Sequence, residues 1–243
     1  MSKKAAVLWT GGKDSSLALY EAKLLGHEVR SLVTFVPSEP EFLAHPLSFV
    51  KSQAEALGLS HYALEVNEPF KASYANAIYS LQERHEIDTL ITGDIAEVDG
   101  HPNWIRECSE YSGVNVLTPL WGCDRLELLG RLLSYRFRVI FSCVKKPWFT
   151  VEWVGKELNK DTLEDLCNLS VEKGFDVCGE QGEYHTLVLD GPLFQKTIHI
   201  DGYSKEAKDS LMYMSIEKMS LRDKKEFRSW QASTLKSLWE IRS

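Results

Sequence analysis

The segment Thr10-Gly11-Gly12-Lys13-Asp14-Ser15-Ser16 collects the residue types that hold an anion. Paired glycines let the backbone approach oxygens closely and take dihedral angles closed to other residues. Thr10, Ser15 and Ser16 supply hydroxyl donors, and Lys13 supplies a compact positive charge. A helix starting near Asp14 would add its own unpaired N–H groups and the positive end of its dipole. That combination is a phosphate cradle. It is not the GxxxxGK loop followed by Ser or Thr, because Lys13 precedes Asp14, and it is not GxGxxG. The plainer reading is a strand–turn–helix connection with Asp14 or Ser15 as N-cap. The full string in this setting favours the anion site.

The setting comes from the flanking patterns. Ala5-Ala6-Val7-Leu8-Trp9 is a short apolar run suited to a buried strand, while Leu17, Leu19, Tyr20, Leu24 and Leu25 recur at helical spacing before Gly26. The alternation continues: strand over residues 29–36, a loop opened by Pro37 and Pro40, helix around Phe49, Ala54 and Leu57, strand 61–66, helix 70–84, strand 88–92, helix 104–111, strand 114–117. Strands separated by helices of this length imply right-handed crossovers and a parallel sheet with helices on both faces, an α/β, Rossmann-like fold. Ligands in such sheets lie at the carboxyl ends of the strands. The glycine segment and Gly93-Asp94 both fall on that edge, so Asp94 is a candidate site residue rather than a plain turn residue.

A helix over 124–135 and a strand over 138–144 extend the first unit, and the pattern turns irregular near 145–149. The expected organisation is therefore a first domain over 1–145 and a smaller α+β domain over 146–202, with a helix at 162–173 and strands at 187–189 and 197–200. A tail over 203–243 follows, in which Leu221, Phe227, Trp230, Leu238 and Ile241 fall near one helical face. This helical tail is a candidate surface for homo-oligomer formation.

Composition narrows the class. The chain has 243 residues, 44% hydrophobic and 26% charged, with formal net charge −7. An acidic balance argues against a general nucleic-acid binder, which needs clustered Lys and Arg. No apolar run reaches the roughly 20 residues of a membrane span. Cys108, Cys123, Cys143, Cys167 and Cys178 are odd in number and form no CxxC pair, as expected of reduced thiols in a cytoplasmic protein.

Thr10-Gly11-Gly12-Lys13-Asp14-Ser15 resembles the SGGKDS signature of the PP-loop ATP pyrophosphatases, with Thr in the leading position. Gly93-Asp94-Ile95, Pro119-Leu120-Trp121-Gly122 and Gly179-Glu180-Gln181-Gly182-Glu183-Tyr184-His185-Thr186 together resemble the diphthine–ammonia ligase family and its uncharacterised prokaryotic branch. The resemblance runs from about residue 4 to about residue 201. It implies a HUP-type sheet that binds ATP through Thr10, Gly11, Gly12, Lys13, Asp14, Ser15, Ser16 and Gly93. It implies cleavage between the α- and β-phosphates: a carboxylate is adenylated, pyrophosphate leaves, and ammonia displaces AMP to form an amide. Lys13, Asp94, Glu180, Glu183 and His185 are then the catalytic candidates. Mg²⁺ is expected, with Asp14 as its ligand and Asp94 as a second candidate. Glu180, Glu183 and Glu97 are candidates for handling ammonia. The expected partners are ATP, ammonia and a carboxylate acceptor, diphthine-like and protein-borne or a related molecule.

Two departures stand out. Gln181 replaces a glycine of the family string, and residues 93–101 are acidic where diphthamide-forming members carry Gly-Ala-Ile with a downstream Tyr-Gln-Arg. Trp104 and Trp121 read as packing anchors and His101 as a loop residue. Two other classes fit parts of the pattern: a PP-loop enzyme acting on tRNA or another small molecule, disfavoured by the scattered cysteines and the charge, and a nucleotide-binding module without catalysis, disfavoured by the intact Lys13-Asp14-Ser15.

Overall fold

A computed structural model describes residues 4–39, 42–97 and 103–224. Five strands form the first sheet: β1 (Lys4–Leu8), β2 (Glu28–Val36), β3 (Ser60–Glu65), β4 (Thr89–Ile91) and β5 (Asn115–Leu117). They are all parallel, in the order β3-β2-β1-β4-β5. This order makes the sheet Rossmann-like. The chain runs outward from β1 to β3 on one side, then returns to place β4 on the other side of β1. The crevice at that reversal lies outside the carboxyl ends of β1 and β4, where such sheets bind ligands.

The connecting helices are α1 (Lys13–Leu24), α2 (Leu47–Leu57), α3 (Phe70–His85) and α4 (Trp104–Ser109). They cover both faces, as the crossover rule requires. Ile78, Leu81, Ile105 and Cys108 from α3 and α4 pack on Ala6, Val33 and Leu90 on one face. Leu17, Ala18 and Ala22 of α1 and Phe49, Val50 and Ala54 of α2 pack on Ala5, Val7 and Leu32 on the other. Each fully buried leucine or isoleucine among them contributes about 1.5–3 kcal/mol relative to exposure. Helix ends follow local chemistry: Asn103 caps α4 by accepting from the Arg106 amide, and Gly58 ends α2 in the left-handed region.

The second sheet is antiparallel and mixed with helices. Its strands are β6 (Arg138–Lys145), β7 (Tyr184–Asp190), β8 (Lys196–Lys208) and β9 (Leu211–Asp223), in the order β7-β6-β9-β8. Helices α5 (Arg125–Ser134) and α6 (Lys160–Lys173) accompany it, with Asp124 capping α5 and an Asn159–Thr162 capping box opening α6.

Two expectations change here. The strand expected to close the first domain, β6, belongs to the second sheet, where it pairs with β7 and β9. A boundary at 145/146 would therefore cut that sheet. The cause is that β6 is buried from Val139 to Val144, with only Arg138 and Lys145 at its ends partly exposed, so its residue pattern is that of any central strand. The expected helical tail is likewise corrected: residues 203–223 lie in the β8–β9 hairpin, paired from Lys196↔Asp223 to Lys208↔Leu211. Met212 and Met214 turn inward at a spacing of two, which is strand periodicity. Phe227, Trp230, Leu238 and Ile241 lie outside the described residues.

One hydrophobic core runs through both sheets, from Val7, Trp9 and Leu17 to Phe141, Tyr184, Leu187 and Ile198. No helix among the described residues is long and apolar enough to cross a membrane. All five cysteines are free thiols.

Candidate active site

The glycine segment sits where β1 meets α1, at the reversal of strand order. Gly11 takes φ +87°, open to glycine at little cost, and Gly12 caps α1 in extended conformation. The Ser15 and Ser16 hydroxyls donate to the Gly12 carbonyl at 3.2 and 2.9 Å, tightening the first turn. Thr10 is exposed, with its Oγ1 3.4 Å from the Gly12 nitrogen. Gly93, after β4, packs tightly against the start of α1. A Cβ placed on it would lie 2.7 Å from the Asp14 carbonyl carbon and 2.8 Å from the Ser15 nitrogen. Only glycine lets the end of β4 touch the start of α1.

The loop is tied to the second sheet. The Lys13 amide donates to Thr186 Oγ1 at 3.1 Å, and the Val188 amide donates to the Gly11 carbonyl at 3.0 Å. The motif over residues 179–186 thus divides in two: residues 184–186 begin β7 and residues 179–183 form the turn before it. Gln181 fits that turn without strain. It is exposed, while the turn's left-handed positions are Gly179 (φ +75°) and Gly182 (φ +80°), both retained. Gln181 therefore stands at a position of the turn that asks for no glycine conformation.

Lys13 is 3% exposed. Its Nζ lies 2.7 Å from Asp14 Oδ2, 3.0 Å from Asp14 Oδ1 and 2.6 Å from the Cys178 carbonyl, and 5.5 Å over the Tyr184 ring. Burial alone would lower its pKa, but Asp14 first, then Tyr184, Cys178 and Glu180, raise it, so the ammonium persists. Glu180 stands beside this pair. Desolvation, then the neighbouring negative charges of Asp14 and Asp176, push its carboxyl up to about 7. A carboxyl poised there can take or give a proton near neutral pH.

Glu183 is placed otherwise. It is 1% exposed, and its two carboxylate oxygens accept the backbone amides of Asp176 at 3.1 Å and Gln181 at 2.9 Å. This is the geometry of a brace inside the turn. His185 is partly buried, with its pKa lowered by desolvation and then by Lys13, so it is neutral at pH 7. Its ring meets the ring of His45 edge-on at 5.3 Å. His45 is hydrogen-bonded to the Thr186 backbone, and its pKa is lowered to about 3 by desolvation, then by His185.

His45 opens onto a cavity of about 690 Å³ at the carboxyl ends of β1 and β2. Its walls include Trp9, Thr10, Phe35, Tyr74, Asp94 and Trp104, with Phe70 and Trp121 at exposed positions. Trp104 and Trp121 are therefore cavity walls as well as packing residues. Trp104 lies edge-on to Tyr74, which is packed on Phe35 at 4.7 Å. Asp94 Oδ2 accepts from Thr92 Oγ1 at 2.9 Å and from Asn103 Nδ2 at 2.5 Å, which fixes its carboxylate at the cavity edge. Glu97 is exposed and is not among the cavity-lining residues, and His101 lies outside the described residues.

The described residues contain no group of three or more His, Cys, Asp or Glu able to hold a metal alone. Asp14, whose side chain is 31% exposed at the helix start, offers the hard oxygen donor that Mg²⁺ shares with phosphate oxygens. Sequence reasoning missed His45 and also Gln53, a fully buried α2 residue against Gly11. Both lie in unremarkable sequence, a loop before Pro46 and a helix interior, and only their tertiary contacts reveal them.

Two family models match the chain. A family model for the diphthamide synthase N-terminal domain matches residues 3–116, and one for the diphthamide synthase C-terminal domain matches residues 124–221. The chain is similar to the diphthine–ammonia ligase of Bos taurus, 28% identical with 91% of this chain and 93% of that protein aligned. It is similar to the Danio rerio diphthine–ammonia ligase at 27% identity, with 91% and 98% aligned. Among solved structures, a predicted subunit of tRNA methyltransferase from Methanocaldococcus jannaschii aligns with TM-score 0.40 and 18% identity over 78% of this chain and 97% of that one.

Proposed function

The chain belongs to the diphthamide synthase family, and on that premise we propose that it is an ATP-dependent carbon–nitrogen ligase that adenylates a carboxylate and converts it to an amide with ammonia. The observation that carries the reading is the joining of two features at the sheet's reversal point. A glycine loop with a buried lysine paired to Asp14 lies beside an aromatic cavity large enough for a nucleoside. The Bos taurus and Danio rerio relatives that bear the diphthine–ammonia ligase name align over nearly their whole length.

In this reading the adenosine occupies the cavity against Phe35, Tyr74 and Trp104, and the phosphates rest on the Gly11-to-Ser16 loop. The acceptor carboxylate attacks the α-phosphorus, the bond to the bridging oxygen breaks, and pyrophosphate leaves. Lys13 and the N-terminal amides of α1 stabilise the charge that develops on the leaving oxygens. Mg²⁺ held by Asp14 would supply further charge neutralisation at those oxygens. Ammonia then attacks the acyl carbon of the adenylate and AMP departs. Glu180, poised near neutrality, accepts the proton that nitrogen loses. Asp94 orients the acceptor or the ribose at the cavity edge. The exposed Phe70 and Trp121 flanking the cavity suit an acceptor larger than a free metabolite, such as a diphthine-like group borne on a protein.

Product analysis with ATP, Mg²⁺, ammonium and carboxylate acceptors tests the reading. AMP and pyrophosphate in equal amounts, lost in Lys13→Ala without loss of fold, are expected. ADP and phosphate, or full turnover in Lys13→Ala, would overturn it.

A further inference from the structure

Gln53 lies in the middle of α2, away from every motif, and is fully buried at 0% exposure. A buried primary amide is costly unless its donors and acceptor are matched. Here they are. Oε1 accepts the Trp9 indole N–H at 2.8 Å, and Nε2 donates to the Gly11 carbonyl at 2.9 Å and the Val188 carbonyl at 2.8 Å. Both N–H groups are used, and the indole donor fixes which end of the amide is oxygen. The three partners belong to the residue before the phosphate loop, the loop itself, and β7 of the second sheet. The Val188 amide donates back to the same Gly11 carbonyl at 3.0 Å. A Cβ on Gly11 would fall 2.6 Å from Gln53 Oε1, so the glutamine packs against the face that glycine leaves open.

We propose that Gln53 is a positioning residue that clasps the phosphate loop to β7 and holds Gly11 in its left-handed conformation, keeping the loop amides aimed at the nucleotide phosphates. The inference rests on the ATP-site reading above. Gln53 is not part of the cavity wall, and its hydrogen bonds go to Trp9, Gly11 and Val188 rather than to Lys13; it acts through Gly11. An amide is needed because two carbonyls converge on one nitrogen. Methionine fills the space without donating, and a carboxylate would face those carbonyls with acceptors only.

The experiment uses the full chain and titrates α,β-methylene-ATP with Mg²⁺ by calorimetry, alongside thermal unfolding of each variant. Gln53→Met should weaken analogue binding about tenfold or more, equivalent to about 1.4 kcal/mol, while the folded fraction stays intact. Gln53→Glu should bind weakly at neutral pH and recover as pH falls, because a protonated carboxyl regains one donor, whereas wild type shows no such recovery. A purely structural role would lower the melting temperature without this pH signature. Folded Gln53→Met with wild-type affinity overturns the clasp. Wild type failing to bind the analogue overturns the ATP-site reading instead, and the clasp with it. Should both variants fail to fold, the ¹⁵N side-chain amide resonance of Gln53 in the wild-type protein decides: a shift that saturates with the analogue supports the clasp, and an unchanged resonance refutes it.

Discussion

His45→Gln is the most discriminating perturbation of the site's electrostatics. The His45 imidazole is half-buried at the cavity wall, hydrogen-bonded to the Thr186 backbone and edge-on to His185. Its pKa falls from 6.5 to about 3. A histidine with a depressed folded pKa binds fewer protons folded than unfolded, so stability rises with pH and is lost as pH drops below the unfolded value. At a pH of about 5 the unfolded histidine is almost fully charged while the folded one remains neutral. The linkage integral from about pH 8 down to about pH 5 is then about 2 kcal/mol. That figure barely depends on how deep the folded pKa lies, because both a value of about 3 and one of about 4 leave the folded ring neutral at pH 5. Urea unfolding of wild type and His45→Gln at the two pH values measures it. The wild type should lose about 2 kcal/mol more than the variant over that interval, with the histidines distant from the site cancelling in the difference. Equal losses in the two proteins would refute a desolvated, neutral His45.

Gly93→Ala should cost about 1–3 kcal/mol and weaken nucleotide binding, since its Cβ would press on the backbone of Asp14 and Ser15, which cannot swing aside as a side chain can; unchanged unfolding midpoints would contradict the close approach. Glu183→Gln should lower stability by about 1–3 kcal/mol, because the new amide group turns an N–H donor toward the Asp176 or Gln181 amide. Denaturation curves check this, and a fully stable variant with impaired amide formation would return Glu183 to the catalytic set. With free ammonia held constant, amide formation should rise as pH passes through about 7, where Glu180 loses its proton and becomes the base. Glu180→Gln should remove that rise, and an identical pH profile in the variant would exclude Glu180 as the base.

The parts of the site legible in the sequence are those whose chemistry is local. Thr10 to Ser16 declares an anion site because glycine freedom, hydroxyl donors and a following helix are all properties of adjacent residues. The alternation of buried strands and amphipathic helices likewise fixed a parallel sheet, and the positions of Gly11 and Gly93 at its carboxyl edge followed. Tertiary structure alone decided the rest. It assigned β6 to the second sheet, since a strand buried on both faces has no residue pattern that names its neighbours. It placed residues 203–223 in a hairpin, where Met212 and Met214 turn inward at the period of two that pairing of β8 with β9 imposes. It separated Glu180, facing Lys13 and Asp14, from Glu183, sealed on its own turn, although the two lie three residues apart in one string. And it brought Gln53 and His45 to the phosphate loop, across contacts between residues far apart in the chain that no local pattern encodes.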